Sequence, residues 1–109
     1  MFFKRRHPRL TSRAEIPTDT PERYAKQLVA HLGRKIDVQE SPKGSVLPFD
    51  DGHGTVRVAG GMLVLEAEAS GEPALATIQD VLGRHLEKFG ARADLRVTWS
   101  PAVPTGSTD

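Results

Sequence analysis

Between Ile36 and Ala69 the chain is cut into short runs of branched residues by three turn sequences: Ser41-Pro42-Lys43-Gly44, Asp50-Asp51-Gly52-His53-Gly54 and Gly60-Gly61. A helix does not survive that punctuation, because proline removes a backbone donor, glycine accepts positive φ and Asp side chains bond the backbone that follows them. The stretch predicts a meander of four strands, Ile36 to Glu40, Ser45 to Phe49, Thr55 to Ala59 and Met62 to Ala69. Gly60-Gly61 is the clearest hairpin signal, since a tight primed turn needs residues that tolerate positive φ. In the last of these strands Leu63, Leu65, Ala67 and Ala69 line one face, and Val64, Glu66 and Glu68 the other. One face is expected to meet a core and the other mostly water.

A helix is predicted on each side of this meander. Thr20 stands as an N-cap before Pro21, and Tyr24, Leu28 and Leu32 then recur every fourth residue, with Ala25 and Val29 beside them and Gly33 as the stop. Ser70 or Gly71 caps the second helix, which has Glu72 and Pro73 in its first turn. Leu75, Ile78, Val81, Leu82, Leu86 and Phe89 make its wide apolar stripe, and Gly90 ends it. A strand over Leu10 to Ile16 precedes the first helix, and alternating Leu95, Val97 and Trp99 predict a strand after the second. The expected architecture is an α+β two-layer sandwich, a mostly antiparallel sheet with two helices packed on one face, in the order β-α-β-β-β-β-α-β. Residues 1–10 are expected as a basic flexible leader, 11–100 as one domain and 101–109 as a disordered polar tail.

A length of 109 residues with 38% hydrophobic content suits one modest core. There is no cysteine, so disulfides and thiolate metal sites are excluded and burial must supply the stability. No apolar run approaches the roughly 20 residues that span a bilayer. The first residues lack the apolar stretch of a secretory signal, so the expected location is the cytoplasm. Residues 1–13 hold Lys4, Arg5, Arg6, Arg9 and Arg13 and no acid; against a net charge of +1, the remainder carries −4. A basic arm of this kind can grip phosphates. The simpler reading is a solvated terminus, and nucleic-acid contact through Lys4, Arg5, Arg6 and Arg9 is disfavoured by the acidic body behind it.

The common catalytic signatures are absent: there is no His-Glu-x-x-His, no Gly-x-Ser-x-Gly and no Gly-x-x-x-x-Gly-Lys. Gly52-His53-Gly54 lies between two predicted strands, where no helix N-terminus would meet a phosphate. Glu66 and Glu68 share a wet strand face and read as solubilising, and Trp99 reads as core or as a lid over its edge. The ligand-binding candidates are Arg23, Tyr24, His31 and His85. His85 lies between Val81, Leu82 and Phe89 on the face expected to be buried, and His31 lies one turn from Leu28 at the edge of its stripe; both could be partly shielded and tuned near neutral pH. Residues 27–34 echo residues 80–87, each with a His-Leu pair late in a helix. Two helices on one sheet look alike by constraint, so each histidine is read first as incidental packing and not as half of a shared cleft. A zinc site needs further ligands at about 2.0 to 2.2 Å, and His53, Asp50 and Asp51 lie in a turn. No catalytic residue, metal or cofactor is assigned.

Taken in order, Thr18-Asp19-Thr20-Pro21-Glu22-Arg23-Tyr24, Gln27-Leu28 and His31 are followed by Leu47-Pro48-Phe49, by Gly83-Arg84-His85-Leu86-Glu87-Lys88-Phe89-Gly90 and by Leu95-Arg96-Val97-Thr98-Trp99. This pattern resembles the bacterial domain-of-unknown-function family numbered 2218, over about residues 11 to 100. The resemblance implies a small cytoplasmic bacterial protein with no assigned activity, found near siderophore uptake and siderophore-interacting reductases. Function is accordingly expected as a non-enzymatic accessory or interaction module, linked to iron and siderophore metabolism. The alternative is a small-ligand or metal-binding module with a histidine-containing cleft between helix and sheet.

Overall fold

The computed structural model describes residues 9–105. Six strands, β1 (Arg9–Pro17), β2 (Gln39–Ser41), β3 (Gly44–Phe49), β4 (Gly52–Ala59), β5 (Met62–Ser70) and β6 (Val103–Pro104), form one antiparallel sheet in the order β2-β3-β4-β5-β1-β6. Helices α1 (Pro21–Leu32) and α2 (Glu72–Phe89) lie on one of its faces and enclose the core with it. This is the α+β sandwich expected from the periodicities.

Strand β5 is the spine of the sheet. It pairs with β1 from Arg9↔Ser70 to Pro17↔Met62 and with β4 from Gly52↔Ala69 to Ala59↔Met62. On the helix side, register brings Ser12, Ala67 and Gly54 into one row, Ala14, Leu65 and Val56 into the next, and Ile16, Leu63 and Val58 into a third. The floor under the helices therefore rises from small to large side chains. Over the small row, α2 comes down so closely that a Cβ on Gly54 would lie 2.8 Å from Leu82 Cδ1 and 3.3 Å from Ile78 Cγ2. Leu75, Ile78, Leu82 and Leu86 are buried there, as are Leu28 and Leu32 of α1.

The turns follow the chemistry read from the sequence. Ala59 pairs with Met62 across Gly60 and Gly61, whose φ values of 60° and 75° are those a type I′ hairpin requires. Gly71, with φ 94°, opens α2, and Glu72 and Pro73 fill its first turn. Thr20 stands before Pro21 as expected, but its side chain makes no cap hydrogen bond; the acidic Glu22 is left to favour the helix start.

Four expectations are corrected. The turn after β3 is only Asp50-Asp51, with Asp51 at φ 65°, so Gly52, His53 and Gly54 belong to β4 and pair with Ala69, Glu68 and Ala67. Ladder bonds along the whole of β5 outweigh glycine's poor strand propensity. Ile36 and Val38 are half-buried against the core, and pairing in β2 begins only at Gln39. Leu95 to Trp99 is not a strand: the segment leaves the edge of β1 and lies on α2, with Val97 and Trp99 over the buried Gly83 and the Val97 N–H donating to Glu87 Oε2 at 2.9 Å. A carboxylate on the helix has taken the donor that a ladder would have used. The chain then rejoins the edge of β1. Ser12 Oγ donates to the Ser100 carbonyl, Ser100 N–H donates to the Arg13 carbonyl, and Val103 and Pro104 pair with Thr11 and Leu10. Residues 101–105 of the expected tail thus carry the last strand, and Arg9 and Leu10 of the expected leader begin the first. Lys4, Arg5, Arg6 and residues 106–109 lie outside the described residues.

Two outcomes follow. Gly54→Val should lower the unfolding free energy by about 1–3 kcal/mol in a urea titration, because Leu82 and Ile78 are fully buried and have little room to yield. Glu87→Ala should cost about 1 kcal/mol, red-shift Trp99 emission and speed hydrogen exchange at the Val97 amide. Unchanged exchange there would show that the carboxylate does not hold the segment.

Candidate functional site

The late turns of α1 and α2 bring their histidines face to face. His31 and His85 have ring centroids 5.1 Å apart, tilted by 42°, and the Phe89 ring meets His31 edge-on at 5.2 Å. The three rings border a cleft of about 270 Å³ that Arg84 and Lys88 complete. Helical spacing explains the grouping. Arg84 and Lys88, and likewise His85 and Phe89, are four residues apart, so each pair stacks along one side of α2. His31 follows Leu28 by three residues and shares the side of α1 that faces α2.

The chemistry of the cleft is cationic and aromatic. His85 Nδ1 lies 2.7 Å from the Val81 carbonyl oxygen. That oxygen only accepts, so Nδ1 carries a proton and donates it. The His31 pKa is lowered from 6.5, first by desolvation and then by the positive potential of His85, Arg34, Lys88 and Lys35. Acids are held elsewhere: Asp80 Oδ1 takes Arg84 Nε at 2.8 Å, and the Glu87 carboxylate is turned to Val97. Among the described residues, Arg34, Lys35 and Lys88 form no ion pair, and no three His, Cys, Asp or Glu side chains come together to hold a metal ion.

Of the four candidate residues, His31 and His85 come together and the other two do not join them. Tyr24 borders a separate hollow with Thr18, Asp19, Ala93 and Leu95, and Arg23 is exposed on α1. The imidazoles read as incidental packing partners thus share one cleft. Arg84, Lys88 and Phe89 were not among the candidates. Their signal in the sequence is the four-residue spacing beside His85, which becomes informative only once α1 is known to lie against that side.

The opposite face of the sheet carries charge in place of helices. Glu66 accepts from Arg57 Nη2 at 3.2 Å and lies 3.7 Å from Arg13 Nη1, and Glu68 accepts from Arg9 Nε at 3.3 Å and lies 3.6 Å from His53 Nε2. Both glutamates are therefore engaged with cations, which suits a surface lattice better than a catalytic pair. Val64 is buried between them and the register neighbours Glu15 and Arg57. A broader hollow of about 730 Å³ by the β2–β3 turn holds the Arg57–Glu66 pair and no other concentrated chemistry.

The family model described as "Uncharacterized protein conserved in bacteria (DUF2218)" matches residues 13–100. No curated protein matches. Among ten solved chains that do is the NMR structure of PA4090 from Pseudomonas aeruginosa, 24% identical over 86% of this chain and 96% of that one, with a TM-score of 0.63. At that identity the likeness shows a shared fold.

Because its pKa is lowered on folding, His31 contributes stability that is fully present above its unfolded value of 6.5 and lost as pH falls through the folded value. The stability difference between the native protein and His31→Gln should therefore narrow on acidification from neutral pH. Parallel curves in urea titrations across that range would show that folding leaves this imidazole untouched.

Proposed function

The chain belongs to this uncharacterised bacterial family, and we propose that it works as a non-enzymatic accessory module that holds a small ligand in the cleft between His31 and His85. The observation that carries this reading is the pairing of the two imidazoles at 5.1 Å in a cleft bordered by Phe89, Arg84 and Lys88. Such a group of side chains recognises and orients. It offers no hydroxyl, thiol or carboxylate to act as a nucleophile or to orient an imidazole base, which favours binding over turnover. A cytoplasmic location and a place beside siderophore uptake come with the family resemblance and form part of the proposal. Among the described residues no helix is long and apolar enough to cross a membrane.

A protein-interaction role has its own support in the outer face of the sheet, where Arg9, Arg13, Arg57, Glu66 and Glu68 form a charged lattice that neither α1 nor α2 covers. The polar character of that face would suit a transient partner better than an obligate one.

The test of the ligand reading is a chemical-shift titration of the labelled protein against nucleotides, ferric chelates, Zn²⁺, Ni²⁺ and small aromatic acids. Saturable changes centred on His31, His85 and Phe89, lost in the His31→Ala/His85→Ala double variant, are expected for at least one class. Silence across the whole panel would overturn it.

A further inference from the structure

We propose that the cleft takes a planar aromatic carboxylate, its charged end against Arg84 and Lys88 and its ring against Phe89 and the two imidazoles, an inference that rests on the small-ligand reading above. Charge decides between ligand classes. The groups that face His31 are Arg34 and Lys35 from its own side and His85 and Lys88 from α2, and the nearby acid Asp80 is already paired with Arg84. A divalent cation entering here would meet Lys88 and the Asp80-paired Arg84, and among the described residues the cleft offers it only two imidazoles as ligands. An anion meets the same potential with the opposite sign.

The walls add the second half of the specificity. The edge-on Phe89 ring and the tilted imidazoles border an open cleft of about 270 Å³, room for a small ring system. An aliphatic acid would satisfy the cations and leave the aromatic walls unused.

Proton linkage follows from the same geometry. Desolvation, and then the cations that surround His31, oppose its protonation. A bound carboxylate offsets part of that positive potential, so binding draws a proton onto the ring and strengthens as the pH falls through the His31 titration. Added salt weakens it, because the rim is exposed and its field is screened.

Benzoate is the direct probe, with benzamide as its uncharged counterpart, acetate as its ringless one and Zn²⁺ as the competing class. Benzoate titrated into the full chain should give saturable shifts at His31, His85 and Phe89. Its dissociation constant should fall about three-fold or more on going from weakly alkaline to weakly acidic buffer, with calorimetric proton uptake. Lys88→Gln, a change at an exposed position, should weaken benzoate several-fold while leaving Trp99 emission unchanged; His31→Gln should abolish the pH dependence whether or not it lowers affinity. Equal binding of benzamide and benzoate would overturn the anion and leave the small-ligand cleft standing. Equal binding of acetate and benzoate would overturn the role of the ring. Saturation by Zn²⁺ with benzoate silent would overturn the proposal in favour of a metal, whereas silence of every probe in the wider panel would remove the cleft reading as well.

Discussion

The close approach of α2 to the sheet is the contact from which the other features of the molecule follow. It depends on three small side positions, Ser12, Ala67 and Gly54, being held side by side by the pairing of β5 with β1 and β4. Backbone hydrogen bonds fix that row, and the row fixes the depth at which Ile78 and Leu82 are buried. Glycine is a poor strand residue on its own account, and its presence in β4 is explained by the packing it permits. Local preference has yielded to a tertiary contact worth more.

Once α2 is seated, α1 has one place left on the same face, and the two helices meet along their sides. The histidine pair is a product of that meeting. Neither ring is deep in the core, and both are half-shielded by the neighbouring helix, by Phe89 and by the long cationic side chains of the rim. Shielding, and then the positive charge around it, disfavour the protonated form of His31, so a change in those surroundings alters its protonation.

The fold was largely legible in the sequence because its turns use residues with strict backbone requirements. Gly60-Gly61, Gly71 and the proline-led helix starts each allow few conformations, and the alternation in β5 assigns its two faces without ambiguity. Leu95 to Trp99 misled for a physical reason. Its alternation is that of a strand with one buried side, yet an extended segment lying on a helix shows the same period, and only the position of Glu87 separates the two. Val103 and Pro104 carry almost no strand signal of their own and pair with β1 because the Ser12–Ser100 clasp delivers them there. The site was half legible. His31 and His85 could be singled out one at a time, but their meeting depends on the separation of the helices, which the small row in the sheet sets and which no motif encodes. Tyr24 and Arg23 share α1 with His31 and still belong to another region of the surface, since two turns of helix separate them.

The two rims of the sheet are its shortest strands, three residues in β2 and two in β6. An open sheet of this width ordinarily presents a long row of unpaired amide and carbonyl groups on each side, a template on which another chain can polymerise. Here the outermost strands are short, at one end because the chain arrives late and at the other because a hairpin stops early. Brevity of the outermost strands works against lateral growth, and among the described residues both helices are left to make the core.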